Sequence, residues 1–161
     1  MSIRCHLFAL NDNEIQSAVN DARSLDSFLE GEYVMHHSLD QAWHAIHFLL
    51  TGDSWAGPEP LCFLLSGGDF IEEPEYMHAS RGIKSKDVAR LSAELAKINE
   101  LDLRRRYAPD KMRAGDVWLF IGEPDPKAGD LLDYLLLHFL ELRPFVDKAA
   151  ENRLGIVVTY T

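Results

Sequence analysis

The chain has 161 residues, a net charge of −10, 47% hydrophobic residues and 26% charged residues. That length suits a single globular domain over 1–161, able to fold without a metal or disulfide staple. The acidic balance argues against a nucleic-acid partner, and the longest apolar run, Leu131 to Leu142, is shorter than the ~20 residues a bilayer span needs, so no membrane association is expected.

In chain order, Ile3, Cys5, Leu7 and Ala9 alternate with Arg4, His6, Phe8 and Leu10, the period of a strand. One side is small and apolar; the other begins polar and becomes apolar. Asn11, followed three residues later by Glu14, is a capping box, so a helix is expected from about Asp12 to Ala22. Ser24 to Leu29 reads as a second short helix ended by Gly31. Ser38 and Gln41 make another capping pattern, S-L-D-Q. It predicts a helix from there to about Leu50, stopped by Gly52, with His37 just outside. SWAGPEP is a loop. LCFLL, Leu61 to Leu65, is either a strand or a buried helical turn, and SGGD is a turn. The segment FIEEPEYMHASRGI reads as irregular with one short strand.

Ser85 is an N-cap candidate for a helix carrying Val88, Leu91, Leu95 and Ile98 at helical spacing. A short helix from about Glu100 to Tyr107 should end near Pro109. DVWLFIG is a strand-like run or a loop that packs Trp118 and Phe120, and GEPDPKAGD is a loop. A long helix over 128–151 should break near Leu140 to Arg143, because Pro144 removes a donor and clashes with the preceding turn. GIVVTYT closes the chain as a strand. Strands do not alternate regularly with helices. The expected class is therefore α+β, with several helices on a small mixed sheet in which the N- and C-terminal strands are neighbours.

Cys5 and Cys62 sit in apolar runs and read as reduced core thiols of a cytoplasmic protein. Residues 81–113 hold ten of the sixteen Lys/Arg and five acids. This basic stretch reads as a solvated helix face balanced by acidic neighbours. Within it, Arg104, Arg105 and Arg106 fan around a helix too widely to form one patch.

The richest stretch for chemistry is LDQAWHAIHFLLTGD. At helical spacing Trp43, Ile46, His47 and Leu50 share a face, with His44 and Phe48 beside it. The helix is apolar nearly all round and should be buried. His44 and His47 have the spacing H-A-I-H, which lacks the glutamate and the i, i+4 pair of a zinc helix. A third ligand from His6, His36, His37, His78 or Asp53 is not indicated, so no metal is expected. Core histidines bound to backbone, or histidines lining a pocket, are the remaining readings. There is no nucleophile elbow, P-loop or dinucleotide fingerprint, and no cofactor is expected. SGGD could offer N–H groups to an anion. Arg81, in the irregular segment beside Tyr76 and His78, has a loop setting that suits a site.

LDQAWHAIHFLLTG, ASRGIKSKDVARLSAEL and LLDYLLLHFLELRPFVDKAAENRLGIVVTYT, in that order, resemble the YfbM-like family of uncharacterised bacterial proteins, a domain of unknown function. The resemblance covers most of the chain and implies an α+β fold without an activity. The family's W-H-x-x-H falls on Trp43, His44 and His47, its L-L-x-G on Leu49, Leu50 and Gly52, and its glycine pair on Gly67 and Gly68. Its P-A-R-Y-L segment keeps only Arg81, with Gly82 where an aromatic is usual, which implies a pocket that is wider or lost. Trp43, His44, His47 and Arg81 are the candidate ligand-binding residues. The expected function is a small cytoplasmic binding domain, without catalysis, for a partner protein or small ligand. The alternative is an enzyme or anion site using a His/Arg cleft. An acidic surface with an apolar Trp55 loop leaves room for a homodimer.

Overall fold

The structure, a computed structural model, describes residues 3–32, 34–71, 79–121 and 128–161. Tyr76, His78 and the GEPDPK loop lie outside the described residues. One sheet organises the molecule, with strands β1 (Cys5–Leu10), β2 (Met35–Asp40), β3 (Asp69–Phe70), β4 (Arg81–Ile83) and β5 (Gly155–Tyr160) in the order β2-β1-β5-β4-β3. The terminal strands β1 and β5 pair at its centre, Cys5 opposite Tyr160 and Leu10 opposite Gly155. Every pairing is antiparallel, so the sheet is not the mixed one the sequence suggested; the α+β class stands.

Period-2 alternation gives the sheet two different faces. Cys5, Leu7, Ala9, Ile156 and Val158 face the main core, built with α3 (Trp43–Thr51), α4 (Ser85–Leu95), α5 (Glu100–Arg106), α6 (Pro109–Ala114) and α7 (Ala128–Glu151). Leu10 and Val157 face a smaller core under α1 (Asp12–Asn20) and α2 (Leu25–Leu29). These two short helices cover only the Leu10 end of that face.

Several expectations hold. The Asn11–Glu14 capping box opens α1, with Glu14 N–H to Asn11 Oδ1 at 2.9 Å. Gly52 ends α3 in the left-handed conformation at φ 78°. Both cysteines are free and buried, and burial raises the Cys5 thiol pKa far above its ordinary value. The arginine triplet is a surface feature: Arg104 pairs with Glu100 at 2.8 Å, and Arg106 gives an N–H to the Leu49 carbonyl at the end of α3.

Others are corrected. MHHSLD is strand β2 and not a helix start; α3 begins at Trp43 behind Ala42, which makes no side-chain cap. Pairing with β1 outweighs the capping pattern, and the Ser38 hydroxyl instead accepts the Asp40 N–H. Of the two readings of LCFLL the buried turn is the one found, with Ser66 N–H on the Cys62 carbonyl. The short helix ends at Arg106, as expected, but Pro109 also starts a further helix, α6, where its missing donor is harmless. Trp118–Phe120 is a single 3-10 turn, and α7 continues through Pro144 over 24 residues.

Gly82 has a physical reason. A Cβ there would collide with Ile15 Cγ2 of α1, and one on Gly155 with Ile15 Cδ1. These two glycines, on neighbouring strands, make the slot that lets α1 approach the sheet. The space beside Gly82 is therefore filled by Ile15, and no wider pocket replaces the family's aromatic.

Candidate functional site

The helical histidines are buried completely. His44 Nε2–H donates to the Ser54 carbonyl at 2.6 Å, while its Nδ1 accepts the Trp118 N–H at 3.1 Å. Both ring nitrogens are used, which defines a neutral Nε2–H tautomer. Trp43 stacks on His44 at 5.2 Å, and Trp55 packs against it at 4.5 Å. One turn on, His47 Nε2–H donates to the Ala56 carbonyl at 3.0 Å. Burial above all holds its imidazole down at about 4, partly opposed by that backbone bond, with the neighbouring His44 lowering it further. The two histidines thus clamp the 54–56 turn onto α3. Trp55 is tied into the same corner by its indole N–H on the Gly115 carbonyl at 2.8 Å.

Arg81 lies in strand β4 and not in an irregular loop, and it too is buried. Its guanidinium donates to the carbonyls of Gly67 and Phe63, each at 2.8 Å, and to the Tyr160 hydroxyl at 3.1 Å. The Tyr160 hydroxyl in turn donates a hydrogen bond to the Leu64 carbonyl. Among the described residues no carboxylate pairs with Arg81; backbone dipoles solvate the charge. Arg81 fastens the 63–67 turn to the sheet as the histidines fasten 54–56. Trp43, whose indole N–H meets the Ile3 carbonyl at 3.0 Å, anchors the core between them. The structure therefore gives Trp43, His44, His47 and Arg81 protein partners in the interior, and each is buried. The hollow beside Gly67 and Gly68 measures about 30 Å³, room for little more than a water.

An open site exists on the other face of the sheet, where α1 and α2 stop short. A cleft of about 410 Å³ has His6 and Phe8 of β1, His36 of β2 and Thr159 and Thr161 of the β5 end as its floor. Leu25, Asp26 and Leu29 of α2 line it, together with Ser80. Strand register explains the grouping: Phe8 lies opposite His36, and His6 opposite Thr159.

His6 Nδ1 and His36 Nε2 are 3.1 Å apart, with ring centres 5.3 Å apart and planes within 25°. Two five-membered rings whose nearest nitrogens are that close have centres so distant only when they meet end to end, nearly coplanar. This is an N–H···N hydrogen bond. In a chelate both lone pairs would turn toward a third atom. Among the described residues no group of three potential ligands is placed to hold a metal. His6 Nε2 continues the chain to Thr161 Oγ1 at 3.2 Å, and Phe8 stacks on His36 at 4.5 Å. Burial first, then His36 and Arg4, lower the pKa of His6, while Asp40 opposes them.

The model of a domain of unknown function (DUF1877) matches residues 1–159. The chain belongs to that family. Its structure is similar to the crystal structure of YfbM from Escherichia coli, a protein of unknown function, with a TM-score of 0.77 over 98% of this chain and 99% of that one. Sequence identity is 14%, so the likeness is one of fold between distant relatives; the chain is not YfbM itself. No curated protein matches the sequence. The family thus agrees with the α+β architecture and adds no activity.

The sequence carries a signal for the cleft. The polar side of the first strand carries His6 and Phe8, and the pair H-H at 36–37 sends one histidine to each face once it is a strand. Reading 36–37 as a helix leader hid that alternation.

Proposed function

We propose that the chain is a cytoplasmic, non-catalytic binding domain that holds a small ligand in the His6–His36 cleft. The observation that carries this reading is the cleft itself. It combines an apolar wall, a flat aromatic floor and a few convergent polar groups, the usual make-up of a small-molecule site, at a volume within the usual range. The floor histidines are paired with each other and with Thr161, a fixed surface suited to recognition. The cytoplasmic part of the proposal rests on the two free buried thiols. No helix among the described residues is long and apolar enough to cross a membrane.

A fragment library screened by NMR on labelled protein tests the site. The expected result is a cluster of amide shifts at residues 6, 8, 26, 36, 159 and 161. Hits clustered instead around the 54–56 turn would defeat the proposal.

A partner-protein reading has one observation in its favour. Leu137 and Leu140 of α7 are 56% and 48% exposed on neighbouring turns. Sedimentation of the L137E/L140E variant against the parent checks it. A protein that is monomeric before and after the change offers that ridge no self-association role.

A further inference from the structure

We infer that the cleft takes a small organic cation with a short apolar tail, and that the His6–His36 pair makes this binding compete with a single proton. The inference rests on the cleft being the binding site.

The charge argument comes from what faces the cleft. Asp26 supplies a carboxylate from α2, and Ser80, Thr159 and Thr161 supply hydroxyl oxygens. No lysine or arginine lines it among the described residues. The guanidinium nearest His6 in sequence, Arg4, is engaged by Asp40 at 3.2 Å. A carboxylate, three hydroxyls and a neutral imidazole pair are acceptors for N–H donors. Leu25 and Leu29 provide contact for an alkyl or aryl tail. The acidic chain, at −10, attracts cations at longer range.

The proton argument comes from the in-line pair. One proton sits between His6 Nδ1 and His36 Nε2. The neutral pair holds one more, at either outer end. When it sits on His6 Nε2 it is donated to Thr161 Oγ1, and His36 Nδ1 is a bare acceptor. When it sits on His36 Nδ1, the Thr161 hydroxyl donates to His6 instead. A bound ammonium selects the first arrangement. Adding one proton places N–H groups at both ends and one positive charge on the floor, which expels a cation. A second added proton would set two N–H groups against each other across 3.1 Å and break the pair. The charged groups around the pair are Arg4 on the β1 side, Asp40 at the end of β2 and Asp26 on α2. Asp40 favours the added proton, and Arg4 opposes it.

Three probes with one aryl skeleton test this: phenethylamine, 2-phenylethanol and 3-phenylpropionate, titrated into labelled protein at about pH 7.5 and about pH 5.5, a range that brackets ordinary imidazole titration. Phenethylamine is expected to shift the His6 and His36 ring signals saturably, about tenfold more tightly than the other two. The affinity is expected to fall several-fold at the lower pH and about tenfold in Asp26→Asn. The double variant His6→Gln/His36→Gln, which leaves no imidazole on the floor, should lose the pH dependence. Preferential binding of the propionate, or amine binding indifferent to pH, overturns the inference and leaves the cleft as the ligand site. If none of the three probes perturbs the cleft in a fully folded protein, the binding-site reading fails and the inference with it.

Discussion

The main-chain N–H of Trp118 points at Nδ1 of His44 from 3.1 Å, across 74 residues of sequence. With the opposite nitrogen on the Ser54 carbonyl at 2.6 Å, one imidazole joins α3, the turn after it and the 3-10 turn at Trp118. A histidine bonded at both nitrogens inside a core is a strut.

Replacing that strut is expensive. His44→Phe keeps much of the volume and leaves the Trp118 N–H and the Ser54 carbonyl without their partner. Each unsatisfied buried group costs about 1–3 kcal/mol, so a loss of about 2–4 kcal/mol is expected in urea unfolding. Probe binding at the His6–His36 cleft should be unchanged. A variant as stable as the parent would show that His44 is not structural.

His47 links stability to pH. Its folded pKa is about 4, against about 6.5 when exposed. Between those values the unfolded chain binds more protons, so stability rises with pH. The contribution is fully present above about pH 6.5 and is lost as pH falls toward 4, about 3 kcal/mol in all. Burial lowers His37 and His6 as well and acts in the same direction. His47→Leu should flatten the slope of unfolding free energy across this window. An unchanged slope would assign the pH dependence elsewhere.

Arg81→Met removes the donors that satisfy Gly67 and Phe63. An expected loss of about 2–4 kcal/mol follows from two uncompensated carbonyls. Arg81→Lys should recover less than half, because an ammonium lacks the planar fork that reaches both. Hydrogen exchange of the Leu65 and Ser66 amides, bonded to the Cys62 carbonyl, should accelerate in both variants. Unaltered exchange there would mean that the turn stands without Arg81.

Gly82→Ala drives a methyl into Ile15 and should cost about 1–3 kcal/mol by overpacking. Ile15→Ala alone should cost about 2–5 kcal/mol. Combined, the two should cost less than their sum, since the truncated side chain vacates the place the new methyl needs. Simple additivity in the double-mutant cycle would contradict the close approach of α1 to β4.

Much of this fold was legible because local signals agreed with the final packing. The Asn11–Glu14 box, the Gly52 stop and the alternation of Ile3 to Leu10 all state in a few residues what the fold requires. The α3 helix read as buried because it is apolar all round, and its histidines could therefore be read as core residues bound to backbone. What sequence could not supply was the choice among tertiary partners. S-L-D-Q has the chemistry of a helix start, yet the strand Met35–Asp40 runs into it and five of its residues pair with β1. Pro144 has the chemistry of a break, yet α7 runs through it against α4 and β2. The cleft was hidden for the same reason: His6 and His36 are thirty residues apart and meet only because β1 and β2 are neighbours in register.

The central claim is a division of labour among histidines, with His44 and His47 holding the core and His6 and His36 forming the open floor. Nitrogen-15 NMR of the histidine rings across about pH 5 to 8 tests it most directly, since imidazole charge changes fall in that range. His44 should keep its Nε2–H tautomer throughout and His47 should stay neutral, while the His6 signals move toward the acid end of that range, burial having lowered its pKa. Protonation of His44 near neutral pH, with His6 silent, would place the solvent-connected site on α3 and contradict the account.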